Sequence, residues 1–427
     1  MYNIPSIQKL SGIIELFLEH SSRINEAKST KYWYPLSMAT YGVAEILQAL
    51  DSLCSFRTTM WEKTAEFEKR FAAYQNSSHA VMVNSGSSAD LLASHLLTNP
   101  VNPLLKSGDE NLVPVVTWPT HICSPMMAGL KVKLVDVNPA TLNIDIDDLE
   151  KSITPQTKAL FLVHLMGNPC DMNAIKRIAT KNNLIILEDC CEALGAEYNG
   201  IKVGNFGLAG TFSFFFSHHM VTMEGGMVVC AEKPVANDLK VMRAHGWVRN
   251  TEEQTNVQSL RDENIDPRYA FFNWGFNLRP TDLQAGFGLC QLEKIERFNE
   301  QRNHLAKRFF DYIDQSRWLK RPVVHPLAKP CWFALPLMLE KDAPFSRGSL
   351  TQHLEAAGVE TRPMVAGNIA RHPVAKVFPI FGERLFLGAD EIHQRGFYMG
   401  LSPFYDETSI DRLISIIEEF LQSQKTI

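Results

Sequence analysis

The sequence predicts an α/β protein built on a mostly parallel sheet, and three observations carry that prediction. Seven short apolar runs lie at 78–83, 112–116, 131–137, 157–163, 183–188, 209–216 and 226–231. Helical patterns separate them, such as Asp171–Lys181 with its capping Asp. Strands alternating with helices favour a layered parallel sheet, because a parallel neighbour is reached through a crossover helix. Third, a chain of 427 residues with 45% hydrophobic content is longer than one core usually serves. The expected division is a helical extension and arm over 1–40, a large domain over 41–300 and a small α+β domain over 301–427.

Taken in order, Ile7, Leu10, Ile13, Ile14, Phe17 and Leu18 fall on one face of an amphipathic helix. Lys31-Tyr32-Trp33-Tyr34-Pro35 is an aromatic turn that either lines a cleft or packs. Residues 61–74 return to helical periodicity. The seven runs follow, then a polar segment over 250–267 read as a long loop. Residues 283–314 are helical and bridge to the small domain. Its expected elements are a run at 332–339, a helix near 347–357 ended by Gly358, and an amphipathic helix over 409–422.

Composition excludes several classes of function. The net charge of −5 without a basic block points away from nucleic acid and membrane surfaces. No run approaches the ~18 apolar residues of a membrane span. The apolar patch Ile13–Leu18 is interrupted by Glu15 and follows no basic stretch, so it is not read as a secretory signal. The eight cysteines are scattered without C-x-x-C spacing, which favours reduced thiols in a cytoplasmic setting and no metal site.

Ligands of parallel sheets sit at the carboxyl ends of strands, so residues just after each run carry the most functional weight. After the first run, Asn84-Ser85-Gly86-Ser87-Ser88 leads into a helix. A helix start offers free N–H groups to a phosphate, although an ordinary capped turn looks the same. After the second run comes Trp118, a core residue or a platform for a flat ring. After the fourth, His164 to Pro169 is a sharp turn without assigned chemistry. After the fifth, Asp189 is either a helix cap or a buried acid, with Glu192 close behind. The sixth run, Thr211–Phe216, ends in His218-His219, followed by Glu224-Gly225-Gly226. A buried imidazole needs a partner, so adjacent histidines after an apolar run are unusual.

The stretch Gly210–Gly226 resembles the signature of the DegT/DnrJ/EryC1/StrS sugar aminotransferase family, whose pattern runs Ser-Phe, three residues, Lys, then Gly-Gly. Ser213-Phe214 and Gly225-Gly226 match. His218 stands where the family carries the lysine that binds pyridoxal phosphate (PLP) covalently, an exchange that marks the 3-dehydratases among these enzymes. A second match is Gly275-Phe276-Asn277-Leu278-Arg279 through Asp282, Gln284 and Ala285. The resemblance spans roughly residues 40–425.

The resemblance implies an aspartate aminotransferase-like fold, fold type I of the PLP enzymes, with a seven-stranded large domain. It assigns the cofactor phosphate to Gly86, Ser87 and Ser88, ring stacking to Trp118, and the ring nitrogen to Asp189. Glu192 replaces a common Gln and bears on the substrate or the ring hydroxyl, and Ser213 joins the cofactor set. Asn277 is expected to reach the cofactor of the partner subunit, implying a homodimer with shared active sites. His245, Arg279 and Arg362 are substrate candidates. His218 becomes the expected catalytic base, acting on a noncovalently held PLP or its amine form, pyridoxamine phosphate (PMP).

The expected activity is a 3-dehydratase acting on a nucleotide-linked 4-keto-6-deoxyhexose, with GDP as the expected nucleotide. L-glutamate would be the amino donor, and the products a 4-keto-3,6-dideoxy sugar, 2-oxoglutarate and ammonia. Such sugars belong to bacterial surface polysaccharides. One alternative is a CDP-sugar dehydratase that needs an iron–sulfur cluster and a reductase. It is disfavoured because residues 246–289 contain no cysteine. The other is a non-catalytic binding protein of the same fold.

Overall fold

The computed structural model describes residues 7–27, 31–248, 265–377 and 384–424; most of the expected loop at 250–267 lies outside them. Seven strands form the central sheet: β1 (His79–Val83), β2 (Glu110–Pro114), β3 (Lys131–Val135), β4 (Thr157–Val163), β5 (Ile185–Asp189), β6 (Ala209–Ser213) and β7 (Gly226–Cys230). Each falls within or overlaps one of the seven apolar runs. Their order is β1-β7-β6-β5-β4-β2-β3. Only β7 runs against the others, pairing antiparallel with both β1 and β6. Apart from the edge strand β3, where exposed Lys131 and half-buried Lys133 alternate with buried residues, the burial of both sheet faces explains why the strands read as apolar runs rather than alternating ones.

The sixth strand stops at Ser213, short of the expected Phe216. Beyond it the backbone leaves the ladder, and Phe215 and Phe216 are exposed. Phe214 donates its N–H to Gly225 O at 2.8 Å, which closes the loop that carries both histidines. The paired glycines after the loop serve close approach. A Cβ on Gly226 would lie 2.3 Å from Ser85 O, so β7 starts against the turn that follows β1.

A second sheet contains β8 (Leu319–Lys320), β9 (Leu335–Leu339), β10 (Thr361–Pro363) and β11 (Gly396–Met399), in the order β8-β9-β11-β10. The helices Arg347–Ala356 and Glu407–Ser423 match the expected small-domain helices. The bridging helical stretch is two helices, Asp282–Leu292 and Ile295–Ile313. A separate apolar cluster containing Phe309, Leu337, Phe397 and Ile417 forms the core beneath this sheet. The aromatic turn packs rather than lining a cleft: Tyr34 is buried, stacks on Tyr405 at 4.1 Å and donates to Gly400 O at 3.0 Å. The N-terminal helix spans Ile7–Ala27. No helix among the described residues is long and apolar enough to cross a membrane.

One buried acid shapes the edge of the sheet that carries the site. Glu188 in β5 has no solvent exposure and accepts from the backbone N–H groups of Gly204, Phe206 and Gly207 at 2.6–2.9 Å. His164 Nδ1 accepts from Cys170 N at 3.1 Å, which leaves Nε2–H to face Glu188 Oε2 at 3.2 Å. Replacing Glu188 by Ala would strand all four donors in the core. The expected loss is about 3–5 kcal/mol by urea unfolding, with a smaller loss for Glu188→Gln, whose amide oxygen still accepts. Equal midpoints for wild type and Glu188→Ala would remove this anchor from the account.

Candidate active site

The carboxyl ends of β1, β4, β5 and β6 converge on a cavity of about 560 Å³, which Phe333, Arg362 and Tyr398 also line. Ser85 caps the helix Gly86–Leu97, its Oγ accepting from Ser88 N at 3.1 Å. Ser85, Gly86 and Ser87 line the cavity at the helix start. Gly86 is required there: a Cβ would fall 2.4 Å from Ser213 Cβ at the end of β6. Ser88, a sequence candidate, does not line the cavity. Its hydroxyl donates to Asn84 Oδ1 at 2.6 Å and accepts from the Ser85 hydroxyl at 3.0 Å, and Ser85 takes its place at the wall.

Asp189 ends β5 with only 3% of its surface exposed, yet it lines the cavity. Its Oδ1 accepts from Cys191 N at 3.1 Å. Burial raises the cost of its charge, but the imidazole of His121, 3.0 Å from Oδ2, outweighs burial and lowers its pKa. Asp90 completes a buried trio, 3.5 Å from His121 Nε2. Burial, then the Asp189 charge, push Asp90 up to about 7. Thr211 and Thr120 hydroxyls donate to its two oxygens at 2.7 and 2.9 Å. Glu192 also lines the cavity. Burial raises it to about 7 although Oε2 accepts from Met166 N at 2.8 Å.

The two histidines after β6 separate into different roles. His218 lines the cavity, with its ring 5.3 Å from that of Phe333. Its Nδ1 is buried without a hydrogen-bond partner among the described residues. Burial pushes its imidazole down to about 4, with Asp189 opposing, which favours the neutral ring. His219 is fully buried and donates from Nε2 to Cys331 O at 3.1 Å, which makes it a structural tie.

Trp118 is 58% exposed and stands at the cavity wall, so its face is free for a flat ring. From the second sheet, Arg362 and Tyr398 reach the same cavity from paired positions on β10 and β11. The Arg362 guanidinium also meets Glu360 at 2.7 Å. Three candidates are not brought to this chain's cavity. His245 and Asn277 are exposed, joined through the bridge Ala244–Asn277, and Arg279 donates to Asn277 Oδ1 at 2.9 Å. They sit together on one outer face.

Sequence reading missed Asp90, His121, Tyr398 and Phe333. Asp90 lies inside a helix and His121 in the first turn of another, positions that look like ordinary helix surface. Only the sheet order brings them beside Asp189. A neutral imidazole, a buried anion, a helix start and an exposed indole line one cavity and form a cradle for a flat phosphorylated heterocycle.

The pattern of the DegT/DnrJ/EryC1/StrS aminotransferase family matches residues 41–418. The chain belongs to this family. Among its members it is similar to GDP-4-keto-6-deoxy-D-mannose 3-dehydratase of Yersinia pseudotuberculosis, 36% identical over 90% of this chain and 98% of that one. The enzyme of the same name from Escherichia coli O55:H7 is 37% identical over 86% of this chain and 95% of its own length. A solved GDP-4-keto-6-deoxymannose-3-dehydratase with a trapped PLP-glutamate geminal diamine superposes with a TM-score of 0.84 at 34% identity, covering 90% of this chain and all of that one. The fold is the type I PLP fold expected from the resemblance, and the family is PLP-dependent. The cradle fits that cofactor by its own chemistry: donors for a phosphate, a ring platform, and an anion for a pyridine nitrogen.

Because the Trp118 ring is mostly exposed, Trp118→Ala is expected to leave the unfolding temperature of the cofactor-free protein unchanged. It should weaken PLP binding roughly tenfold through lost stacking and buried area. Fluorescence titration with PLP checks this, and unchanged affinity would remove Trp118 from the ring site.

Proposed function

We propose that this protein is a PLP/PMP-dependent 3-dehydratase of GDP-4-keto-6-deoxy-D-mannose. It uses L-glutamate as amino donor and releases a GDP-linked 4-keto-3,6-dideoxy sugar, 2-oxoglutarate and ammonia. The observation that carries this reading is His218, a neutral cavity-wall imidazole at the position of the family's lysine. Its support is the similarity to the two dehydratases of that name over most of both chains. The glutamate half is supported by the PLP-glutamate adduct in the similar solved enzyme.

When bound, the cofactor supplies an electron-withdrawing ring and an amine or aldehyde carbon that exchanges with glutamate and the sugar ketone. The chain's residues do the rest. Ser85, Gly86 and Ser87 hold the phosphate with hydroxyl and N–H donors at a helix start. Trp118 covers one ring face. Asp189, kept anionic, receives the ring nitrogen and keeps it protonated. With no lysine at this position, His218 would be the residue placed to take a proton from the cofactor carbon C4′ and to hand it to the C3 hydroxyl that leaves the sugar as water. Arg362 and Tyr398 face the sugar-nucleotide side of the cavity from the small domain.

Asn277, His245 and Arg279 lie outside this chain's own cavity, and we assign their exposed face to the cavity of a second subunit. The working form is then a homodimer with shared sites, placed in the cytoplasm with its nucleotide-sugar substrate.

The test is an absorbance spectrum of PLP-loaded protein before and after L-glutamate, with 2-oxoglutarate assayed. GDP-4-keto-6-deoxymannose is then added and ammonia measured. Stoichiometric 2-oxoglutarate followed by ammonia is expected. For His218→Asn, PLP binding should persist while ammonia release falls at least ~100-fold. Full activity in that variant would sink the base assignment, and no response to glutamate would sink the cofactor cycle.

A further inference from the structure

His121 is the buried titratable group for which the reaction above has no use. It is 2% exposed, in the helix Thr120–Met127. Oxygen atoms surround its ring. Nδ1 lies 3.2 Å from Trp118 O and 2.6 Å from the Thr117 hydroxyl. Nε2 lies 3.0 Å from Asp189 Oδ2 and 3.5 Å from Asp90 Oδ2. The Thr117 hydroxyl can donate to or accept from Nδ1, whereas the two carboxylate oxygens beside Nε2 can only accept, so Nε2 carries a proton and their combined charge favours a positive ring.

Asp90 cannot swing away, because Thr120 and Thr211 hold one oxygen each. Without a cation between them, Asp90 and Asp189 would be two carboxylates sharing one dry site. One of them would then take up a proton. A protonated Asp189 no longer pairs with a pyridinium.

We propose that His121, as an imidazolium clamped between Asp90 and Asp189, is the positioning residue that keeps Asp189 charged and aimed at the ring nitrogen of the bound cofactor. The proposal rests on the reading that PLP occupies the cavity with that nitrogen at Asp189. The charged groups that face His121 are Asp90 from the helix Gly86–Leu97, Asp189 from β5, and Glu192 beyond it. The edge of Phe161 in β4 packs 5.0 Å away. Burial opposes the charge on His121, but Asp189 and Asp90 outweigh it and push the imidazole up to about 9. The sign follows. The imidazolium is lost as pH rises through about 9, and the charge on Asp90 is lost as pH falls through about 7, so both arms of the clamp are charged between those values.

Two experiments test this. Nitrogen NMR of ring-labelled histidine in the cofactor-free wild-type protein, with His121→Asn identifying the signal, should show both ring nitrogens protonated between about pH 6 and 8. A neutral His121 at pH 7 would overturn the clamp whatever binds in the cavity. Second, PLP dissociation constants and pH-dependent spectra are compared for wild type, His121→Asn, Asp189→Asn and the double variant. His121→Asn should loosen PLP at least tenfold. It should also make the bound-cofactor spectrum titrate over a range where the wild-type spectrum is constant, and the double variant should bind no worse than Asp189→Asn alone. Additive losses, or a His121→Asn spectrum that follows wild type, would overturn the proposal. Failure of wild type to bind PLP would overturn the cofactor reading instead, and the NMR result would still decide the charge on His121. If His121→Asn does not fold, the ring signal displaced by Asp189→Asn, 3.0 Å away, identifies His121 instead.

Discussion

A carboxylate with almost no access to water ends the fifth strand, and much of the surrounding architecture serves to keep it charged. Burying a lone carboxylate costs several kcal/mol unless a counter-charge and hydrogen bonds accompany it. Asp189 has the Cys191 N–H on one oxygen and His121 beside the other. Those partners come from the connection after β5 and from the helix after β2. The β2 and β5 strands are separated in the sheet only by β4. The sheet order is therefore what makes the charge tolerable, and the charge gives the cavity its polarity.

A neighbouring acid shows the opposite use of the same strand. Glu188 precedes Asp189 and so points to the other face, as alternation along a strand requires. There it collects three backbone N–H groups and His164, and it fixes the segment that leads into β6. Consecutive acids thus divide the work. One holds the polypeptide that supports the site, and the other faces the cavity.

The fold was largely readable because each central strand is buried on both faces and reads as an apolar run. The motif positions were readable because they follow strand ends. Gly86, Trp118, Asp189, Glu192, Ser213, His218 and Arg362 all line the cavity. Asp90 and His121 were not readable. Their partners lie far away in the chain, and a polar residue in a helix is usually solvated. The end of β6 was overestimated because Phe215 and Phe216 are apolar, yet the backbone had to turn to present His218. The pair His218-His219 could not be resolved from sequence either. One neighbour lines a cavity and the other binds a carbonyl, and the difference depends on where Cys331 passes.

That passage has a mechanical consequence. Cys331 and Phe333 donate to the carbonyls of Gly167 and Met166 at 3.0 and 3.1 Å, while Cys331 O receives His219. Residue 167 is packed so tightly here that a Cβ would overlap Cys331 O. The segment that carries Phe333 over the cavity is thus stitched to the large domain at three points. Lifting that segment would break all three hydrogen bonds at once, two of them to the turn after β4 and one to the histidine next to His218, so the cover of the cavity and the loop that carries its imidazole are fixed to each other.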